Sequence, residues 1–191
     1  VTYEKNGIFA EAQFFNFFGL TLKEGDESTA LKEINTVVLS EKLAKKYFPN
    51  KNPIGETLII NDREAQVTGV LDALPGNFHL KIDFLSSFAT VESFIKEERM
   101  QDWVWQQFYT YVKINQEDQK EILEEKFQAF VVKNIHPITN AKGFTYIPYL
   151  QPLNEIHLHS YNFEWDIAQQ GNINYVNALS WVAIFILVIA C

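Results

Sequence analysis

The sequence predicts an α+β fold followed by the start of a transmembrane helix, and three observations carry that prediction. Strand-like and helix-like apolar patterns mix along the chain without a regular βαβα rhythm. Hydrophobic residues make up 47% of the 191 positions and aromatic residues 15%, which is too apolar for disorder and enough for a packed core. No charged residue follows Asp166, and the last stretch of the chain is almost entirely apolar.

Taken in order, the first element is aromatic. Phe14, Phe17 and Phe18, with Phe9 and Phe15 close by, have i, i+3, i+4 spacing, which predicts a short helix with a buried aromatic face that Gly19 can end. Leu20 to Gly25 reads as a short strand running into a turn. Thr36 to Leu39 has the pattern of a buried strand, and Ser40 can cap the helix that runs from Glu41 to Phe48. Glu41 lies favourably in the positive first turn of that helix, Leu43, Ala44, Tyr47 and Phe48 share one face, and Pro49 stops it. After the turn cluster Asn50 to Gly55, the strands Glu56–Ile60 and Ala65–Leu71 form a hairpin through Asn61 and Asp62, residues that tolerate left-handed backbone.

Further along, Leu74 to Leu85 predicts a turn leading into a strand. Tyr109 to Ile114 predicts another strand, and Gln119 to Asn134 the best helix, with Ile122, Leu123, Phe127, Phe130 and Val131 on one stripe. The charges around them, Asp118, Lys120, Glu121, Glu124, Glu125 and Lys126, read as its solvated face. Phe144 to Leu150 reads as a last strand, with Pro148 at an edge or irregular position.

The apolar run Val176 to Cys191 has 16 residues. As a helix it reaches about 24 Å, short of the ~30 Å hydrocarbon core of a bilayer. From Trp181 to Ala190 it is apolar on every side, as a lipid-surrounded helix is, whereas a buried helix needs only one apolar stripe. The expectation is a folded part at 1–171 and a truncated membrane span at 172–191, with Tyr175 and Trp181 suited to the membrane interface. The chain starts at Val1 and shows no basic and apolar leader, so it reads as a piece of a longer protein, with 1–171 a loop domain between two spans.

Lys and Arg number 16 against 24 Asp and Glu, a formal net charge of −8, which speaks against a nucleic-acid surface. The single cysteine, Cys191, leaves no internal disulfide and the redox compartment open. No glycine-rich phosphate loop, GxSxG elbow or HExxH helix is present. His157 and His159 would place two imidazoles on one face if extended, half of a metal site that Asp166 or Glu155 would have to complete, but solvated loop histidines are the simpler reading. His79 follows a turn and reads as structural. Trp103 and Trp105, with Phe108 and Tyr109, are the candidate ligand or partner surface, a groove for an apolar ligand or peptide, against which stands burial in an aromatic core. No catalytic, cofactor-binding or metal residue is assigned.

An ordered set of segments is more specific than any one of them. Phe14 to Gly25, Thr36 to Phe48, Asn52 to Leu58, Val67 to Val70, the turn-to-strand at Asp83-Phe-Leu85, and Glu155 to Leu158 ahead of the apolar Tyr175 to Cys191 resemble, in order and spacing, the extracytoplasmic core domain of MacB/FtsX-like ABC transporter permeases. The resemblance covers nearly the whole chain. It implies a porter-like α/β part with an inserted β-rich, sabre-like part, for which the hairpin region at 50–85 is the candidate. It also implies a bacterial inner-membrane protein with this domain in the periplasm, and no cofactor in this chain, because ATP is hydrolysed by an ABC ATPase subunit. The remaining implied partners are a second permease chain, in a homodimer or heterodimer, and a periplasmic adaptor or substrate protein. The domain would then be a non-enzymatic coupling body for export or mechanotransmission. The competing readings are a periplasmic binding module that regulates an envelope partner such as a cell-wall hydrolase, and a hydrolytic or metal site at His157 and His159.

Overall fold

The computed structural model describes residues 3–103, 105, 107–116, 119–143, 145–160, 163 and 166–190. It divides into two units, one of Val1–Lys96 with Ile167–Gln169, the other of Glu97–Asp166 with Gln170–Cys191.

The first unit is built on a six-stranded mixed sheet. Its strands are β1 (Gly7–Ala10), β2 (Leu22–Gly25), β3 (Thr36–Ser40), β4 (Thr57–Ile60), β5 (Arg63–Leu71) and β6 (Phe84–Ser87). The spatial order is β1-β6-β3-β5-β2, with β4 pairing β5. β1 runs parallel to β6 and β3 parallel to β5, while the β3/β6, β2/β5 and β4/β5 pairs are antiparallel.

β3 is buried on both faces because it lies inside the sheet, as its unbroken apolar run requires. Strand periodicity then divides its side chains. Val38 joins the cluster of Phe15, Leu20, Leu31, Leu80, Ile82 and Leu85, while Val37 and Leu39 join Leu43, Val67 and Val70 on the other side. In β5 the inward set shifts from Val67 to Val70 across a bulge, where Val37 faces Val67 but Val38 faces Gly69. The extra residue, Thr68, turns its hydroxyl to the carbonyl oxygens of Ala30 and Val37, at 2.7 and 3.3 Å.

Two helices belong to this sheet. α1 (Phe14–Phe18) ends at Gly19, whose φ of 66° is the left-handed cap expected there. Its deepest ring is Phe15 rather than Phe17, which is exposed, while Phe14 and Phe18 pack half-buried against the first cluster. Five residues make little more than one turn, so the way that turn lies on the sheet decides which ring is buried. α2 (Glu41–Tyr47) starts at Ser40, whose side chain accepts the Leu43 N–H, and buries Leu43 and Ala44. The β4–β5 turn places Asn61 and Asp62 at φ of 49° and 63°, as predicted. In this hairpin β5 is hydrogen-bonded to β3 on one side and to β2 and β4 on the other, so it is a member of the six-stranded sheet. A short helix, α3 (Ala89–Glu92), follows β6.

The second unit contains α4 (Glu97–Met100), α5 (Gln119–Asn134), α6 (His136–Thr139), α7 (Ile156–His159) and α8 (Ile173–Ala190). α5 has the bounds the sequence predicts, but of its stripe only Val131 is buried, with Leu123 and Phe127 half-buried and Ile122 and Phe130 exposed. The segments expected as strands differ more. Residues 109–114 and 145–150 have no regular structure, because among the described residues no neighbouring strand takes up their N–H and C=O groups, while Phe144 lies outside the described residues. α8 is apolar all round from Trp181 to Ala190 and exposed along nearly its whole length, and its 18 residues are long and apolar enough to cross a membrane by length and composition.

Candidate functional site

The residues singled out for binding lie in the second unit and are only partly brought together. Trp105 and Phe108 meet edge to face, with ring centroids 5.4 Å apart. The Arg99 guanidinium lies 5.0 Å from the Trp105 ring, a cation–π contact that anchors the indole. Trp103 turns instead to Phe130 of α5 at 5.9 Å and to Tyr146 at 6.5 Å. Trp103, Phe108 and Tyr109 are 42%, 40% and 46% exposed, so they are not absorbed into a closed core. Trp103 lies in a turn and Trp105 on backbone without regular structure.

Next to this surface is a half-buried phenol. Burial, and then the negative charge of Asp166 and the neighbouring Tyr109, push the Tyr111 hydroxyl up to about 12. The same two leading causes raise Tyr149, whose ring stacks on Phe163 at 5.9 Å. Tyr111, Tyr149 and Asp166 were not singled out in the sequence as a group. They are 55 residues apart at the extremes, and only the fold places their charges within reach.

The histidine pair does not form half of a metal site. His157 and His159 belong to α7, where residues two apart point to different sides of the helix instead of one face of a strand. Among the described residues no group of three or more His, Cys, Asp or Glu is arranged to hold a metal ion. His79 is buried, with its ring against Phe18 at 5.6 Å and Phe78 at 4.9 Å, the structural setting expected of it.

The fold therefore defines a class first: a mixed-sheet α+β domain leading into a helix able to cross a membrane. Residues 2–130 match the profile of the MacB-like periplasmic core domain, and the chain belongs to that family. A curated relative, the macrolide export ATP-binding/permease protein MacB of Aggregatibacter actinomycetemcomitans, is 37% identical over 87 residues, covering 41% of this chain. The match spans 13% of that relative's length. Among solved structures, a domain described as part of a permease protein from Porphyromonas gingivalis has a TM-score of 0.50 at 24% identity, over 65% of this chain and 57% of that one. The periplasmic region of MacB from Actinobacillus actinomycetemcomitans has a TM-score of 0.43 at 23% identity, over 71% and 64% of the two chains.

Proposed function

We infer that this chain is the periplasmic part of an ABC-type permease in the bacterial inner membrane, and that it acts without catalytic chemistry of its own. ATP is hydrolysed by a separate ATPase, and the domain couples that hydrolysis to export or to mechanical signalling across the membrane. The observation that carries this reading is the joining of a MacB-like core domain at 2–130 to a helix at Ile173–Ala190 long and apolar enough to cross a membrane. A packed sheet with rigid helices is a body that can be moved as a whole when a membrane helix shifts. In its working form the permease pairs with a second copy or a related chain, and its periplasmic surface meets substrate or an adaptor.

The test joins the full permease to its ATPase and measures distances between paired periplasmic domains with and without ATP. Coupling predicts an ATP-dependent change in distance, and unchanged distances overturn it.

A second reading has its own support in the exposed rings of Trp103, Phe108 and Tyr109. Here the domain is a binding module that captures an apolar ligand or peptide, or regulates an envelope partner such as a cell-wall hydrolase. In this reading Phe108→Ala with Tyr109→Ala abolishes partner activation while the ATP-dependent distance change persists.

A further inference from the structure

The chain does something unusual just before its apolar helix. After Asp166 it returns to the first unit for three residues, Ile167–Gln169, and then leaves again. Those three residues are fastened there by backbone and side chain. Ala168 forms an antiparallel bridge with Leu80. The Gln169 N–H donates to the His79 carbonyl at 2.8 Å, and the Gln169 side-chain amide donates to the Phe78 carbonyl at 3.2 Å. Ala168 also packs against the cluster that holds Leu80, Ile82 and Leu85.

The segment they grip is itself tied into the sheet. Leu80 is almost fully buried, and His79 is enclosed by Phe18 and Phe78. Asp83, three residues further on, accepts the Ser40 N–H at 2.8 Å through its carbonyl and the Asn6 side-chain amide at 2.8 Å through its carboxylate. A pull on Ala168 and Gln169 therefore reaches β6, β3 and the start of α2 through hydrogen bonds and packed apolar groups.

On the other side of the three residues the path to α8 is short. From Gln169 to Ile173 is four residues, at most about 14 Å of chain even when fully extended. Slack is reduced further at Gly171, whose N–H donates to the His157 carbonyl at 2.6 Å and whose missing side chain leaves room for the His157 ring. A Cβ there would stand 2.9 Å from the His157 Nε2, so a side chain at 171 would require the His157 ring to shift.

We propose that Ile167–Gln169 is a coupling strap, the element through which displacement of α8 reaches the six-stranded sheet by way of Phe78–Leu80. The proposal rests on the coupling function inferred above and names the residues that carry it. Gln169 is its positioning residue, because its N–H donates to the His79 carbonyl and its side chain to the Phe78 carbonyl.

The test uses the full permease with its ATPase in a Cys191→Ser background, with a spin label introduced by Thr57→Cys on exposed β4 of each paired domain. Gln169→Pro removes both hydrogen bonds, since proline has no N–H, whereas Gln169→Ala removes only the side-chain one. In both variants ATP hydrolysis stays within about twofold of the parent and the thermal transition of the first unit is retained. The ATP-induced change in label distance falls more than twofold in Gln169→Pro and by a smaller factor in Gln169→Ala. A full-sized change in folded Gln169→Pro overturns the strap while leaving coupling intact, and if that variant does not fold, a full-sized change in Gln169→Ala does the same. If ATP moves nothing in the parent, the coupling function itself falls, and the strap falls with it.

Discussion

The two units of this chain are held together by different means. In the first, every strand is paired, β3 is buried on both faces, and the buried hydroxyl of Ser87 is satisfied by the Leu31 carbonyl at 2.8 Å. In the second, the buried residues among those described are few, namely Val131, Ile135, Thr139 and Ser160, and side-chain bonds hold segments without regular structure. Leu150 donates its N–H to the Glu124 carboxylate at 2.8 Å, Gln151 and Ser160 bond each other, and the His136 ring meets the Tyr146 carbonyl at 2.9 Å. A sheet spreads its stability over many shared groups, whereas the second unit concentrates it in a few anchors.

The sharpest way to break that comparison is a cavity in the sheet. Leu85 is completely buried between β1 and β3, and Leu85→Ala is expected to cost about 2–5 kcal/mol from lost burial and the residual cavity. Ile122→Ala, on the exposed side of α5, is expected to cost no more than about 0.5 kcal/mol. Urea denaturation followed by hydrogen exchange reads both, and the Leu85 loss should appear as faster exchange across β1, β3 and β6. Equal losses for the two variants would mean that the apolar stripe of α5 is covered as thoroughly as the sheet.

The same contrast governs how much could be read from the sequence. The strand at Thr36–Ser40, the Ser40 cap, the Asn61-Asp62 turn and the bounds of α5 were legible because each is set by local chemistry: an apolar run, a hydroxyl before a helix, residues tolerant of positive φ. The segments at 109–114 and 145–150 also carry strand-like apolar patterns and form no strands, because a strand needs a neighbour and sequence pattern cannot supply one. His157 and His159 failed as a pair for a related reason, since two residues apart means one face in a strand and different faces in α7. The Thr68 bulge and the return of Ile167–Gln169 to the first unit had no local signal, because both are decided by residues tens of positions away. Of the aromatic surface, the residues were legible but the pairing was not: Trp105 went to Phe108 and Arg99, Trp103 to Phe130 and Tyr146.

A smaller effect probes the second unit at high pH. Because Tyr111 is raised from 10.0 to about 12, the folded state favours its neutral form. A raised value contributes stability that is fully present below about pH 10 and is lost as pH climbs from there to about 12. Absorbance titration of the folded protein should show Tyr111 and Tyr149 ionising late, and Tyr111→Phe should remove the step near 12 and flatten the alkaline loss of stability in the second unit. A step near 12 that survives the substitution undiminished would assign it to another phenol and weaken the view that the core of this unit shelters Tyr111.

The smallest effect belongs to the surface of the first unit, where charge rather than burial is at work. Hydrogen bonds from Lys23 and Lys45, at 2.6 and 2.9 Å, hold the Glu41 carboxyl down at about 2, against an ordinary value of 4.5. A lowered value contributes stability present above pH 4.5 and lost as pH falls from there to about 2. Both lysines lie in solvent, so salt screens the pairs and the stability at stake is slight beside that of Leu85. The carboxyl titration itself is the sensitive readout. Followed by NMR, the Glu41 midpoint should lie near 2 in the parent and move up in Lys23→Met and in Lys45→Met, with the larger movement for Lys23, the leading cause. Because Lys23 comes from β2 and Lys45 from α2 itself, a larger effect of Lys45 would mean that the pair within the helix dominates and that β2 contributes little to fixing the start of α2.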